Sequence, residues 1–238
     1  MQFSVVIPVY NEADNILPLL EEITAVLDVD YEFEVIVVDD GSEDATSEQL
    51  SQARNRFAWL RVLKHARRCG QSAALVSGVA VAKDGIIITM DGDGQNDPAD
   101  IPGFLEQYEK QPGGWLMLTG QRVKRQDSLV TRWSSRLANG IRRSVLADAT
   151  PDTGCGLKLF PRSLFMALPT FNHMHRFLPA LAQRAGAQTL SIPVNTRPRK
   201  HGLSKYGINN RLWAGIIDLL GVFWLQRRRM QADVTELK

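Results

Sequence analysis

The chain has 238 residues, 44% hydrophobic and 23% charged, enough to bury a full core as one large domain or a domain with a lobe. Its two cysteines, Cys69 and Cys155, are far apart and fit no zinc spacing; they are expected to be small buried hydrophobes in a reducing compartment. The net charge of +2 conceals a division: residues 1–110 carry 20 acids and 8 bases, residues 111–238 carry 6 acids and 20 bases. A solvated basic face is the lesser reading of such a skew, which calls for an anionic partner: phosphate, nucleic acid or a lipid surface.

Met1-Gln2-Phe3 leads directly into a strand-like run with no basic n-region, so no secretory signal is expected. Val5-Val6-Ile7 and Val35 to Val38 are continuous β-branched runs, as expected of strands covered on both faces. Leu60 to Leu63, Ile86 to Met90 and Trp115 to Leu118 continue the series. Helical patterns lie between them at Ala13 to Leu27, Glu43 to Arg54, Gln71 to Ala82 and Ile101 to Gln111, with Ser42 placed as an N-cap. Strand and helix in alternation predict an α/β fold with a mostly parallel central sheet and helices on both faces.

Ligands in such sheets sit beyond the C-terminal ends of the strands. Three polar clusters fall there and would share one rim: Pro8-Val9-Tyr10-Asn11-Glu12, Asp39-Asp40-Gly41-Ser42 and Asp91-Gly92-Asp93-Gly94-Gln95. Side chains two apart on an extended strand point the same way. Asp91 and Asp93 can therefore converge on one hard divalent cation, with the Gln95 oxygen added. A calcium loop also opens D-x-D-x, but its twelfth position needs a bidentate Glu and is Pro102 here. No P-loop, G-x-G-x-x-G, G-x-S-x-G elbow or internal repeat occurs, which weighs against an ATPase, a dinucleotide enzyme and an ordinary α/β hydrolase.

Beyond residue 120 the pattern loosens. Ser128 to Leu146 is a basic helical stretch, Gly156 to Phe160 and Thr189 to Val194 are strand-like, and His173 to Arg184 is helical. His173 and His175, without a third ligand, are assigned a surface or loop role rather than a metal site. Arg197 to Tyr206 is a basic loop. Arg211 to Leu225 is an apolar helix stopping at Arg227-Arg228-Arg229, and the last nine residues are polar. From Leu212 to Leu225 it counts 14 residues and includes Asp218, against the roughly 20 apolar residues a membrane span requires. It reads as an interfacial helix with aromatics at the headgroups and arginines on anionic lipid, or as a core or oligomer helix.

The sequence resembles the family 2 glycosyltransferases, and among them the polyprenyl-phosphate sugar synthases. The matching elements run in order: Ile7-Pro8-Val9-Tyr10-Asn11-Glu12, Val37-Val38-Asp39-Asp40-Gly41-Ser42, the D-x-D-x-Q with Asp97-Pro98, Gly120-Gln121-Arg122, Ser135-Arg136, and the R-x-x-G-x-S-K of Arg199 to Lys205, which includes Ser204. The resemblance implies a GT-A fold over residues 1–206, with a nucleotide-sugar half at 1–120, an acceptor half at 121–206 and an apolar, basic tail at 207–238. It implies that Pro8, Tyr10, Glu12 and Asp40 hold base and ribose, with Asp39 and the Gly70-Gln71 loop nearby. Asp91, Asp93 and Gln95 would ligate Mg²⁺ or Mn²⁺ on the diphosphate. Arg122, Arg136 and Arg199 would handle the phosphates of donor or acceptor, with Ser204 and Lys205 on the substrate side. Many relatives have Asp-Ala-Asp-Leu-Gln at the metal motif, so Gly92 and Gly94 are expected to loosen that loop.

A polyprenyl phosphate, with a second pKa of about 6, is already largely dianionic near pH 7 and attacks without a strong base. A hydroxyl acceptor usually needs a carboxylate base; Asp152 is the candidate in the middle third, with turn capping and a role in orienting substrate as equal readings. The expected activity is therefore inverting transfer from a GDP- or UDP-linked sugar to a polyprenyl phosphate. The expected place is the cytoplasmic face of a membrane, as a peripheral protein, with a homo-oligomer or membrane-protein partner also open. The rivals are a saccharide or other hydroxyl acceptor and a non-catalytic sugar-nucleotide binder. A nucleic-acid partner is set aside, because the basic half lacks interleaved aromatic stacking platforms.

Overall fold

The computed structural model describes residues 2–27, 30–83, 85–111, 113–123, 145–146, 148, 150–198 and 208–228, with side chains described from 215 onward in the last stretch. Strands β1 (Gln2–Val9), β2 (Glu32–Asp39), β3 (Leu60–Lys64), β4 (Ile86–Thr89), β5 (Leu116–Arg122), β6 (Lys158–Pro161) and β7 (Gln188–Val194) form one sheet. Their order is β3-β2-β1-β4-β6-β5-β7. Neighbours are parallel except at β6, which runs antiparallel to both β4 and β5.

The continuous apolar runs serve two cores at once. Phe3, Val5, Ile7 and Val9 of β1 face one core and Val6 the other, while β2 divides Val35 and Val37 from Ile36 and Val38. This is the period of two expected of a strand covered on both sides. The first face is covered by α1 (Ala13–Leu27), α2 (Thr46–Arg56) and α4 (Ile101–Glu109), the second by α3 (Gln71–Val81), α5 (Arg162–Met166), α6 (Leu178–Ala185) and α7 (Ile208–Gln226). In α1 the residues Ile16, Leu19, Leu20, Ile23 and Leu27 supply the buried stripe. The expected α/β architecture with a mostly parallel sheet and helices on both faces is the one found.

Several local expectations change. Ser42 is not the cap of α2, which begins at Thr46 after Ala45; the Ser42 hydroxyl instead accepts the Asn11 N–H at 2.9 Å. The strand expected at Trp115 to Leu118 runs on through Gly120-Gln121-Arg122, so Arg122 ends β5 at the rim. The helix expected from His173 is broken: Met174–Arg176 form one 3₁₀ turn before α6, and His173 has φ +66°. Cys155 is buried as expected, whereas Cys69 is exposed. Most of the stretch Ser128 to Leu146 lies outside the described residues.

The C-terminal segment is joined to the body along one side of α7. Val222 is buried in the second core with Leu219 and Phe223 beside it. Arg184 donates from Nε to the Leu225 carbonyl at 2.7 Å, and Gln226 donates to the Leu146 carbonyl at 3.0 Å. The other side is apolar yet exposed: Ile217 retains 67%, Leu220 59% and Trp224 58% of its surface.

Helix α3 meets the sheet through a glycine. A Cβ at Gly78 would sit 2.4 Å from Val6 Cγ1 and 3.1 Å from Val38 Cγ2, so the helix backbone rests on the strands. We expect Gly78→Val to lower stability by about 1–3 kcal/mol through overpacking, measured by urea denaturation; an unchanged midpoint would contradict this packing.

Candidate active site

Because β1, β2 and β4 are parallel, Pro8, Asp39-Asp40 and Asp91 reach the same rim. The antiparallel β6 delivers its first residues there, Lys158 standing in register with Thr89 and Thr119. The loop after β3 is pinned to the end of β2 by Asp40. Its Oδ1 accepts the Cys69 N–H at 2.8 Å and lies 2.7 Å from His65 Nδ1, while Oδ2 accepts the Gly70 N–H at 2.7 Å. Asp39 accepts the Ser42 N–H at 2.8 Å and the Ser47 hydroxyl. A Cβ at Gly41, where φ is +73°, would lie 2.7 Å from the backbone of Arg67 and Arg68, so only glycine allows the two loops to meet.

The pinned loop opens α3 and aims its first side chain at the metal motif. Gln71 Nε2 donates to Asp91 Oδ1 at 2.8 Å. Asp91 N–H donates to Asn96 Oδ1 at 3.1 Å, and Asp93 Oδ1 accepts the Gln95 N–H at 3.1 Å. Gly92 does not loosen this segment, since a Cβ there would stand 2.4 Å from Val9 Cγ1, whereas Gly94 turns at φ +73° with open space around it. On the other side a Cβ at Gly156 would stand 2.3 Å from Asp91 Oδ2. The carboxylate is thus wedged between the Gln71 amide and the Gly156 backbone.

Asp91 lines a cavity at this rim. Burial pushes its carboxyl up to about 6, the Asp93 charge adds to that push, and Lys158, Arg122 and Gln71 oppose it. The Asp91 and Asp93 carboxylates, close enough to act on one another, together with the amide oxygen carried by Gln95, are a hard-oxygen donor set suited to Mg²⁺ or Mn²⁺. The residues fit such an ion, whose charge would offset what raises Asp91. Asp40, His65 and Cys69 also bring ligand atoms within 4.8 Å of one another, but Asp40 is committed to the loop N–H groups.

Arg122 is locked in a fork by Asp152, Nε to Oδ2 at 2.7 Å and Nη2 to Oδ1 at 2.9 Å, which holds the guanidinium pKa above its usual range. Asp152 thus neither simply caps a turn nor stands open: it orients an arginine. Lys158 is buried, donates to the Cys155 carbonyl, and burial pushes its ammonium pKa down.

A cavity of about 450 Å³ lies at this rim, bounded by Pro8, Gln71, Asp91, Gly156, Lys158 and His175 among others. Of the residues singled out from sequence, it brings together Pro8, Gly70, Gln71 and Asp91. Tyr10 lies outside its lining, under the Arg68 guanidinium at 4.2 Å, and Glu12 is buried, accepting from Asn15 at 2.7 Å. Arg136, Arg199, Ser204 and Lys205 lie outside the described residues. Sequence reasoning missed Lys158, Asn172 and Arg176, and it placed His173 and His175 on the surface or a loop; all five line the cavity. The one available signal was the pair of imidazoles beside an arginine at 173–176.

Residues 4–168 match the profile of the family described as Glycosyl transferase family 2. The chain is 36% identical over 95% of its length to a dodecaprenyl-phosphate galacturonate synthase of Rhizobium johnstonii, covering 68% of that protein. It is also 36% identical over 86% of its length to an undecaprenyl-phosphate 4-deoxy-4-formamido-L-arabinose transferase of Edwardsiella ictaluri, covering 63% of it. The chain therefore spans roughly two thirds of the length of these relatives. Among solved structures, the glucosyl-3-phosphoglycerate synthase of Mycobacterium tuberculosis, in complex with Mg²⁺ and uridine diphosphate, superposes with a TM-score of 0.69 at 18% identity, covering 94% of this chain and 79% of that one. That likeness shows the GT-A fold.

The raised carboxyl of Asp91 has a measurable cost. Its pKa in the folded chain lies above the ordinary 3.8, so without metal this group contributes stability at low pH that is lost as pH rises from about 4 to about 6. In chelator at pH 7.5, Asp91→Asn should melt no lower than the parent and on the order of 2–4 °C higher per kcal/mol relieved. The gap should close below pH 4, and Mn²⁺ should raise the melting point of the parent alone. Scanning fluorimetry across pH reads all three; a variant stabilised by Mn²⁺ as strongly as the parent would exclude Asp91 as a ligand.

Proposed function

The chain belongs to glycosyl transferase family 2, and from that premise we propose that it transfers a sugar from a GDP- or UDP-linked donor to a polyprenyl phosphate, with inversion and with Mg²⁺ or Mn²⁺. The observation that carries the acceptor class is the Arg122–Asp152 fork. The carboxylate best placed in sequence to serve as a base is committed to a guanidinium, which favours an acceptor that arrives ionised. The names of the relatives, which act on dodecaprenyl and undecaprenyl phosphates, support the same class.

In this reading Asp91, Asp93 and Gln95 hold the cation, and Gln71 and Gly156 fix the Asp91 carboxylate. A bound divalent ion would neutralise charge gathering on the departing diphosphate. Arg122, kept in place by Asp152, supplies a fixed positive charge near Asp91 without any proton transfer. An acceptor phosphate oxygen bonds to the anomeric carbon as the bond to the nucleotide oxygen breaks, its electron pair leaving with the diphosphate. Arg136 and Arg199 serve the phosphates, and Pro8, Tyr10 and the Asp39-Asp40 rim serve the nucleoside. Arg122→Lys keeps charge but loses the fork; it should lower transfer about tenfold or more, read as nucleotide release with and without polyprenyl phosphate. Release stimulated by a saccharide hydroxyl and not by the lipid would overturn the acceptor.

The lipid acceptor also requires approach to a membrane. Among the described residues, no helix is long and apolar enough to cross one. The exposed face of α7, with Ile217, Leu220 and Trp224, and the adjoining Arg227 and Arg228 support peripheral binding at the cytoplasmic face. Basic residues near anionic lipid contribute roughly 1 kcal/mol each. Sedimentation with anionic vesicles should show binding that salt weakens and that the triple change Ile217→Ser, Leu220→Ser, Trp224→Ser reduces at least about tenfold. No vesicle binding together with a concentration-dependent dimer would instead make this face a subunit contact.

A further inference from the structure

The wall of the cavity built by β6 and residues 172–176 is rich in hydrogen-bond donors. Lys158 is 4% exposed and has no carboxylate partner among the described residues; its ammonium reaches only the Cys155 carbonyl. Arg176 lines the same space and makes no ion pair with a described residue. His175 is held beside them by Ser72: its backbone N–H donates to Ser72 Oγ at 3.3 Å and its Nδ1 lies 2.8 Å from the same oxygen. In the tautomer protonated at Nε2 the ring adds a third donor. Burial above all, and then the positive neighbours Arg176, Lys158 and His173, push the His175 pKa down to about 3. Asp91 is the only acid among the described residues of the lining.

A neutral sugar presents hydroxyls that both give and accept, and against a wall of donors their hydrogens would lack partners. A carboxylate only accepts, and an arginine fork matches it. We propose that this wall, Arg176 with Lys158 and His175, holds the carboxylate of an acidic sugar, making the donor a nucleotide-linked uronic acid. The inference rests on the transferase reading above and adds to it that the cavity beside Asp91 takes the sugar end of the donor.

Calorimetric titration in Mn²⁺ tests it, with UDP and GDP alone first establishing which nucleotide binds. Acidic and neutral donors of that nucleotide are then compared: UDP-glucuronate and UDP-galacturonate against UDP-glucose and UDP-galactose, or GDP-mannuronate against GDP-mannose. The acidic donors should bind at least about tenfold more tightly, the scale of one charge-assisted hydrogen bond. Arg176→Gln should close the gap, and Arg176→Lys should restore part of it. Arg176 is partly exposed, so the fold should tolerate both changes. Equal binding of acidic and neutral donors by the parent overturns the proposal while leaving the transferase reading intact. If Arg176→Gln weakens the bare nucleotide as much as the acidic donor, the wall serves the diphosphate and the proposal fails. If neither nucleotide binds, the transferase reading fails and takes this inference with it.

Discussion

The direction of β6 is the constraint on which the site depends. Between the parallel strands β4 and β5 it runs backwards, so its beginning, not its end, arrives at the rim where ligands gather. Residues 152–158 therefore enter the site from β6, opposite the carboxylates from β4. Gly156 can pass Asp91 only because it has no side chain, and Lys158 is carried into the interior by pairing with Thr89 and Thr119. A parallel strand in that place would put Lys158 at the far end of the sheet.

Electrostatics divide the rim into two regions. Around Asp91 and Asp93 negative charge is in surplus, and around Lys158, His175 and Arg176 positive charge is. The two regions face one another across the cavity, with Lys158 lowering and Asp93 raising the Asp91 carboxyl, a pattern suited to an anionic ligand carrying a cation. Arg122 and Asp152 form a two-point fork, and their geometry is accordingly fixed before any ligand arrives.

Much of this was readable in the chain. The β-branched runs at residues 5–7 and 35–38 identified strands because burial on both faces leaves no room for polar alternation, and the acids after them fell at the rim because parallel strands end together. The Asp91 motif was readable for the same reason. Lys158 was not, since a lysine in a short apolar run looks like any exposed strand residue until the antiparallel register is known. His173 and His175 suggested an extended segment, yet the backbone turns left-handed at His173 and coils at once, which depends on packing against α3 through Ser72. Ser42 looked like a cap because the local sequence suits one; a hydrogen bond to Asn11, 31 residues away, decided otherwise.

The sheet order also governs how the molecule meets its own kind. Its two open borders are β3 and β7. The first is five residues long and bears Arg61 and Lys64; the second contains Pro193, which takes one donor out of the strand. Short, charged or proline-bearing borders resist the addition of a further strand from another copy. Uncontrolled growth of the sheet by strand addition is thereby discouraged at either side, while the exposed apolar side chains Ile217, Leu220 and Trp224 stand on a helix, where a contact would use side chains and leave the backbone ladder undisturbed.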